Sequence, residues 1–83
     1  MQTLSILLLK EDGGWSAQCL EIDIAAQGDT IKKAVDQLQF VIASEVAFAV
    51  ERQREPFEGI DRAPQHFWAL YDSAGEKVVN PNP

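Results

Sequence analysis

The pattern of apolar and polar positions over the first thirty residues predicts three short β-strands. In residues 3–10, TLSILLLK, apolar side chains fall on both sides of an extended chain, which is typical of a strand covered on both faces. Asp-Gly and Gly-Gly within residues 11–14 favour a tight turn. Residues 15–21, WSAQCLE, and residues 22–27, IDIAAQ, then alternate in polarity, with a bend between them. The pattern therefore predicts a β-hairpin followed by a third strand.

A long helix is predicted after this third strand. Gly28 ends the strand, and either Asp29 or Thr30 is expected to cap the helix, because its side-chain oxygen can accept from amides of the first turn. From Ile31 to about Arg54 the chain has neither Gly nor Pro. Apolar residues at helical spacing form a stripe for packing on the sheet. The stripe contains Ile31, Val35, Leu38, Ile42, Val46 and Ala49, and is widened by Ala34, Val41 and Phe48.

The opposite side of this helix is also apolar. Phe40, Ala43, Ala47 and Val50 lie there, by the rotation of 100° per residue. A helix that packs on one side only is polar on the other, so a second surface is expected to cover these residues. That surface is either the C-terminal helix of the same chain or another chain, and an exchange of the C-terminal helix between subunits would satisfy both.

Pro56 is expected to stop the long helix, and a loop with Gly59 as punctuation follows. A short second helix is predicted to open at Asp61 or Ala63, with Pro64 at its first position. This helix is expected to end at Gly75.

The second helix carries a dense group of aromatic residues, Phe67, Trp68 and Tyr71. Such a group can form a stacking platform for nucleic acid, but almost no basic residue lies among these positions. We therefore predict that the aromatic residues belong to the core or to an interface.

These elements predict an α+β fold with the order β-β-β-α and a short C-terminal helix. Residues 1–75 are expected to form a single domain, with an antiparallel sheet of about three strands and the long helix packed on it. Residues 76–83, EKVVNPNP, are expected to form a tail.

Composition narrows the classes of partner. The chain has 83 residues and a formal net charge of −6, which opposes binding to nucleic acid or to anionic membranes and favours a basic protein partner. The apolar run near the N-terminus is too short to span a bilayer. The single cysteine fits a reducing compartment. We expect a cytoplasmic protein that does not bind DNA directly.

No catalytic or metal-binding pattern is evident in the sequence. His66 is expected to be a surface or half-buried residue; the alternative is a general base or a pH-sensitive group at an interface. Cys19 is expected to be a small core residue rather than a nucleophile. We therefore predict no enzymatic activity, no cofactor and no metal.

The chain resembles the HicB-like antitoxin family over residues 3–50. In that family a hairpin carries an aromatic residue followed by alternating small residues, and a third strand then reaches a Gly-Asp-Thr helix start. The matching residues here are Gly14, Trp15, Ala17, Gly28, Asp29, Thr30 and Ala34. The resemblance implies a partial ribonuclease-H-like layer and assembly into dimers or larger oligomers. It also implies binding and inhibition of a small basic ribonuclease toxin.

The chain departs from the family pattern in its C-terminal part. Residues 55–83 resemble neither of the DNA-binding domains found in such antitoxins, so the chain looks like a short, stand-alone member. The leading prediction is a protein-interaction module that neutralises a basic toxin. The alternatives are a homodimer with an unknown ligand or partner and, less favoured, a small hydrolase or nuclease.

Lys32 and Lys33 are unusual because they occupy the first turn of the long helix, where acidic residues are preferred. If Thr30 is the cap, Lys33 replaces the Glu that would complete a capping box. One interpretation is two exposed lysines offset by nearby acids such as Asp36. The other is a small basic spot that contacts a partner or an anion.

Overall fold

A computed structural model of the protein describes residues 3–73 and confirms the predicted α+β class. Its elements are β1 (Ile6–Glu11), β2 (Gly14–Cys19), β3 (Ala25–Gly28), α1 (Ile31–Glu51) and α2 (Gln65–Ser73). The helix end predicted at Gly75 and the tail predicted at 76–83 lie outside the described residues.

The three strands form one antiparallel sheet in the order β1-β2-β3, with β2 in the centre. Asp12 and Gly13 form the turn between β1 and β2, and Gly13 has a φ of +78°, which glycine adopts at little cost. A bend then separates β2 from β3, with the amide of Cys19 donating to the carbonyl of Ile24 at 2.9 Å. Each strand is shorter than predicted: β1 begins at Ile6 rather than at residue 3, and the bend takes residues 20–22 between β2 and β3.

Helix α1 packs on one face of the sheet and encloses the main core. Ala17 and Cys19 on β2 are fully buried there, as are Ala34 and Leu38 on α1. The predicted stripe is correct at these helix positions. It is wrong at Phe48, which is 49% exposed, and Ile31 at the first helical position is 42% exposed.

Helix α2 lies on the opposite face of the sheet. Leu7, Leu20 and Ala63 form a second buried cluster on that face. The α2 side chains packed against this cluster are Phe67, Trp68 and Tyr71. The sheet is therefore covered on both faces, as the apolar residues on both sides of β1 predicted. The alternative in which α2 of the same chain covers Phe40 is wrong, because Leu7 of β1 and Leu20, which follows β2, take up the aromatic residues on this face instead.

The start of α1 is fixed by Thr30 and Gly28. Thr30 is the N-cap, and its hydroxyl oxygen accepts from the amide of Lys33 at 3.1 Å, while no acidic residue lies in the first turn. A Cβ atom on Gly28 would lie 2.5 Å from the amide nitrogen of Ala34. Residue 28 must therefore be glycine for the first turn of α1 to approach the end of β3 so closely.

The end of α1 is earlier than predicted. The helix ends at Glu51, and Gln53 takes a left-handed conformation with a φ of +58°. The amide of Gln53 donates to the carbonyl of Val50, and the amide of Arg54 donates to that of Ala49 at 2.8 Å. These two bonds form a Schellman motif, which ends the helix before Pro56 can do so.

Candidate protein-interaction surface

Helix α1 presents an apolar surface on the side away from the sheet, and no other element within residues 3–73 covers it. We call this surface the outer face of α1; it consists of Phe40, Ala43, Ser44, Ala47, Phe48 and Val50. Phe40 is 67% exposed and Val50 is 66% exposed, and Ala43 and Ala47 are exposed as well. The four residues predicted on this side of the helix thus lie in contact with solvent in the single chain. Phe48 joins them instead of the core.

Phe40 and Phe48 border an open depression of about 430 Å³ along α1, with Val41, Ser44 and Glu45 as its other lining residues. The hydroxyl of Ser44 donates to the carbonyl of Phe40 at 2.8 Å, so its hydrogen-bonding capacity is already used within the helix. The Arg52 guanidinium lies 4.5 Å from the centre of the Phe48 ring. The depression is therefore mostly apolar, and a cation borders it at the C-terminal end of the helix.

A second groove continues from Phe40 towards the N-terminus of α1. It has a volume of about 500 Å³ and is lined by Gln27, Gly28, Asp29, Lys33, Asp36, Gln37 and Phe40. Lys32 forms an ion pair with Asp36, with 2.6 Å between Nζ and Oδ2, and both side chains are well exposed. This pairing favours the interpretation in which nearby acids offset the lysines, although Lys33 still lines the groove. A role for Lys32 and Lys33 in binding a partner or an anion stays a prediction.

A third groove at the hairpin end adjoins the second at Gln27, Gly28 and Asp29. It has a volume of about 300 Å³ and is also lined by Glu11, Asp12, Gly13, Gly14 and Trp15. Gln27 Nε2 donates to Glu11 Oε1 at 3.0 Å, and this hydrogen bond links the C-terminal end of β1 to β3. Lys10 Nζ lies 5.2 Å from the centre of the Trp15 ring. Three acidic residues line this groove, which gives it the sign of charge that suits a basic ligand.

The aromatic residues of α2 are placed differently from those of α1. Phe67, Trp68 and Tyr71 are partly buried against the sheet, and the Arg62 guanidinium lies 4.2 Å from the centre of the Trp68 ring. His66 is exposed, and its ring centre lies 4.1 Å from that of Phe67. These contacts within the chain account for the aromatic group, and its role at an interface stays a prediction.

Cys19 lies in the core beneath α1 and has no exposed surface. Burial raises the pKa of the Cys19 thiol, because the thiolate would lose its hydration there, although nearby backbone hydrogen bonds partly oppose the shift. A buried thiol with a raised pKa is a poor nucleophile. The geometry therefore agrees with the prediction that Cys19 is a packing residue.

Residues 3–73 contain no group of three or more His, Cys, Asp and Glu side chains that could hold a metal ion. Within the same residues, no helix is long and apolar enough to cross a membrane.

Comparison with protein-family models, curated proteins and solved structures found no match to this chain. The resemblance to HicB-like antitoxins therefore stays a hypothesis based on short motifs.

Proposed function

We propose that the protein is a non-enzymatic protein-interaction module that binds its partner through the outer face of α1. The exposure of Phe40, Phe48 and Val50 along one side of a regular helix carries this proposal. Single exposed apolar residues are ordinary in folded proteins, but a contiguous apolar patch marks an interaction site. Aromatic side chains are also the residues that contribute most to binding at protein interfaces.

The more specific proposal is neutralisation of a small basic ribonuclease, as the resemblance to HicB-like antitoxins implies. The net charge of −6 and the acidic groove at the hairpin end support it, because opposite charges steer association and fix its orientation. In this version a basic surface of the toxin binds in the acidic groove at Glu11, Asp12 and Asp29. The partial ribonuclease-H-like relationship of the fold belongs to the same proposal.

Co-expression tests the toxin version directly. The chain is produced with each small basic protein encoded beside its gene, and complexes are purified and tested for ribonuclease activity before and after denaturation of the chain. We expect a stable complex that is inactive until the chain is removed. Asp12→Lys should weaken this complex. Recovery of the neighbouring basic proteins without any bound chain would contradict the toxin version.

A matched pair of variants tests the contact surface. Phe40→Asp places a charge in the outer face of α1, whereas Gln39→Asp places the same charge at an exposed neighbouring position of the helix. We expect Phe40→Asp to abolish protein complexes that Gln39→Asp retains. Equal complex formation by both variants would contradict the proposal that this face binds protein.

The non-enzymatic part of the proposal has its own test. A screen of nuclease and hydrolase substrates with divalent metals should show no turnover by the purified chain. Turnover that co-purifies with the chain and is lost on substitution of His66 would favour the small-enzyme alternative instead.

A further inference from the structure

We propose that a second copy of the chain covers the outer face of α1, with the two α1 helices antiparallel about a two-fold axis at Ser44. This inference rests on the proposed function, since it takes the outer face of α1 to be a protein contact, and it names the partner. A two-fold interface uses the same surface of both subunits, so the surface must be complementary to itself. Residue order and side-chain size along α1 both meet this requirement.

The residue order around Ser44 is nearly symmetric. Residues 40–48 read FVIASEVAF, with a phenylalanine four positions before Ser44 and another four positions after it. Four residues of helix correspond to about 6 Å along the axis. An antiparallel partner centred on Ser44 would therefore bring Phe40 to the level of Phe48 of the partner subunit, and the symmetry would repeat this contact on the other side of the axis.

Small residues at the centre of the face allow the two helices to approach. Ala43, Ser44 and Ala47 are exposed, and packed helices whose contact residues are small have axes at the lower end of the range of about 8–10 Å. The Ser44 hydroxyl donates to the carbonyl of Phe40 at 2.8 Å, so burial would not leave it without a partner. The depression of about 430 Å³ beside Ser44 has room for an aromatic ring from the second copy.

Charge favours a second copy over a strongly basic partner at this face. Lys32, Lys33 and Asp36 lie near one end of the face, where Lys32 is paired with Asp36, and Glu51 and Arg52 lie near the other. Neither end has the excess of acidic residues that would attract a strongly basic protein, whereas a second copy brings the same mixture of charges. The acidic groove at the hairpin end stays free for a basic protein.

The size of the face suits a dimer that forms reversibly. At roughly 200 Å² for each aromatic side chain, the exposed fractions of Phe40 and Phe48, 67% and 49%, correspond to roughly 230 Å² of ring surface per chain. A standard interface buries about 800 Å² on each partner. The two rings would supply more than a quarter of this area from the centre of the contact, which fits an interface at the weak end of the range.

Light scattering over a micromolar-to-millimolar series of chain concentrations tests the dimer. We expect the wild-type chain to pass from monomer to dimer and Phe40→Asp to raise the dissociation constant at least about 30-fold. Gln39→Asp should leave the dissociation constant within about 3-fold. A chain that stays monomeric over the whole series, yet forms another complex that Phe40→Asp breaks, would overturn the second copy and leave the proposed function intact. If Phe40→Asp retains every complex that the wild-type chain forms, both the second copy and the proposed function are overturned.

Cross-linking tests the antiparallel register. Ser44→Cys should form a disulfide-linked dimer under mild oxidation, because residue 44 meets its own counterpart at the two-fold axis, whereas Gln39→Cys should not. Native Cys19 is buried and does not compete. Equal cross-linking at residues 44 and 39 would overturn the register.

Discussion

The two sides of α1 are both apolar, yet they have opposite surroundings. Leu38 and Ala34 on the inner side have no exposed surface and pack against Ala17 and Cys19 of the central strand. Phe40 on the outer side is two-thirds exposed, although it lies on the same helix within one turn of Leu38. Helical propensity and local sequence cannot account for this contrast, because both sides belong to one continuous helix. The sheet accounts for the inner side only, and the outer side is the surface that we propose binds a partner.

The aromatic residues of α2 sharpen this contrast. Phe67 and Trp68 cover the second face of the sheet, and Leu7 and Leu20 lie beneath them. Once α2 is used in this way, the described part of the chain has no further element to place over Phe40. The position of an apolar residue in the described structure therefore shows whether it packs in a core, as Phe67 and Trp68 do, or is exposed, as Phe40 is.

The largest effect is expected for a truncation on the inner side. Leu38→Ala should lower the free energy of unfolding by about 2–5 kcal/mol, because it removes fully buried methyl groups and leaves a cavity beneath α1. Urea unfolding of the dilute chain measures this loss. Val50→Ala, a truncation of an exposed aliphatic side chain on the same helix, should change the value by less than about 0.5 kcal/mol. Similar losses of stability for the two variants would contradict the claim that one side of α1 is buried and the other is exposed.

A smaller effect is expected where α1 meets β3. Gly28→Ala should destabilise the chain by about 1–3 kcal/mol, because the new Cβ atom would lie 2.5 Å from the amide nitrogen of Ala34 and the helix would have to shift. Thermal unfolding followed by circular dichroism measures the change. Asp29→Ala, at the next and exposed residue, is the control and should be nearly neutral. A neutral Gly28→Ala would show that α1 does not seat closely on the sheet.

The next largest effect on stability is expected at the N-terminal cap of α1. Thr30→Ala should cost about 0.5–2 kcal/mol, because the amide of Lys33 loses the hydroxyl oxygen that accepts from it at 3.1 Å. Lys33→Glu should raise the free energy of unfolding by about 0.3–1 kcal/mol, because a carboxylate is stabilised at the positive end of the helix dipole. The gain from Lys33→Glu should shrink in high salt, which screens it. If Asp29→Ala costs more than Thr30→Ala in the same unfolding assay, Asp29 is the cap.

Cys19 should give the smallest effect on stability and a clear effect on reactivity. Its raised pKa means that the folded chain keeps the thiol proton to higher pH than the unfolded chain does. The protonated thiol therefore makes its full contribution to the free energy of unfolding below the pKa of the unfolded-state thiol. This contribution is lost as the pH rises through the pKa of Cys19 in the folded chain. Thiol labelling at neutral pH should be slow in the folded chain and fast in urea. Rapid labelling without urea would contradict the burial of Cys19 beneath α1.

Local chemistry made much of the fold predictable. The Asp-Gly turn, Gly28 and Thr30 each satisfy a backbone requirement within a few residues, so the hairpin and the start of α1 lie where the sequence places them. The end of α1 was placed about three residues too late. The left-handed residue that ends the helix is Gln53, whereas this position is usually occupied by Gly or Asn, which the sequence would have revealed.

The candidate site was predictable only in part. Helical spacing placed Phe40, Ala43, Ala47 and Val50 on one side of α1, and the structure agrees. Spacing could not decide whether α2 would cover them, because the sheet offered α2 an equally apolar face through Leu7 and Leu20. Phe48 was assigned to the wrong side because it lies at the border of the two stripes. The second groove, which adjoins this face at Phe40, and the third groove at the hairpin end depend on contacts between β3, the hairpin and α1, which no single segment encodes.

The most direct test of the central claim, that the outer face of α1 binds protein and does not hold the fold together, is a sedimentation measurement on Phe40→Asp with its urea unfolding measured on the same sample. We expect Phe40→Asp to be a folded monomer whose unfolding midpoint equals that of the dilute wild-type chain, while the concentrated wild-type chain sediments as a dimer. A Phe40→Asp chain that is unfolded, or that associates as strongly as the wild type, would contradict a role of this face in binding.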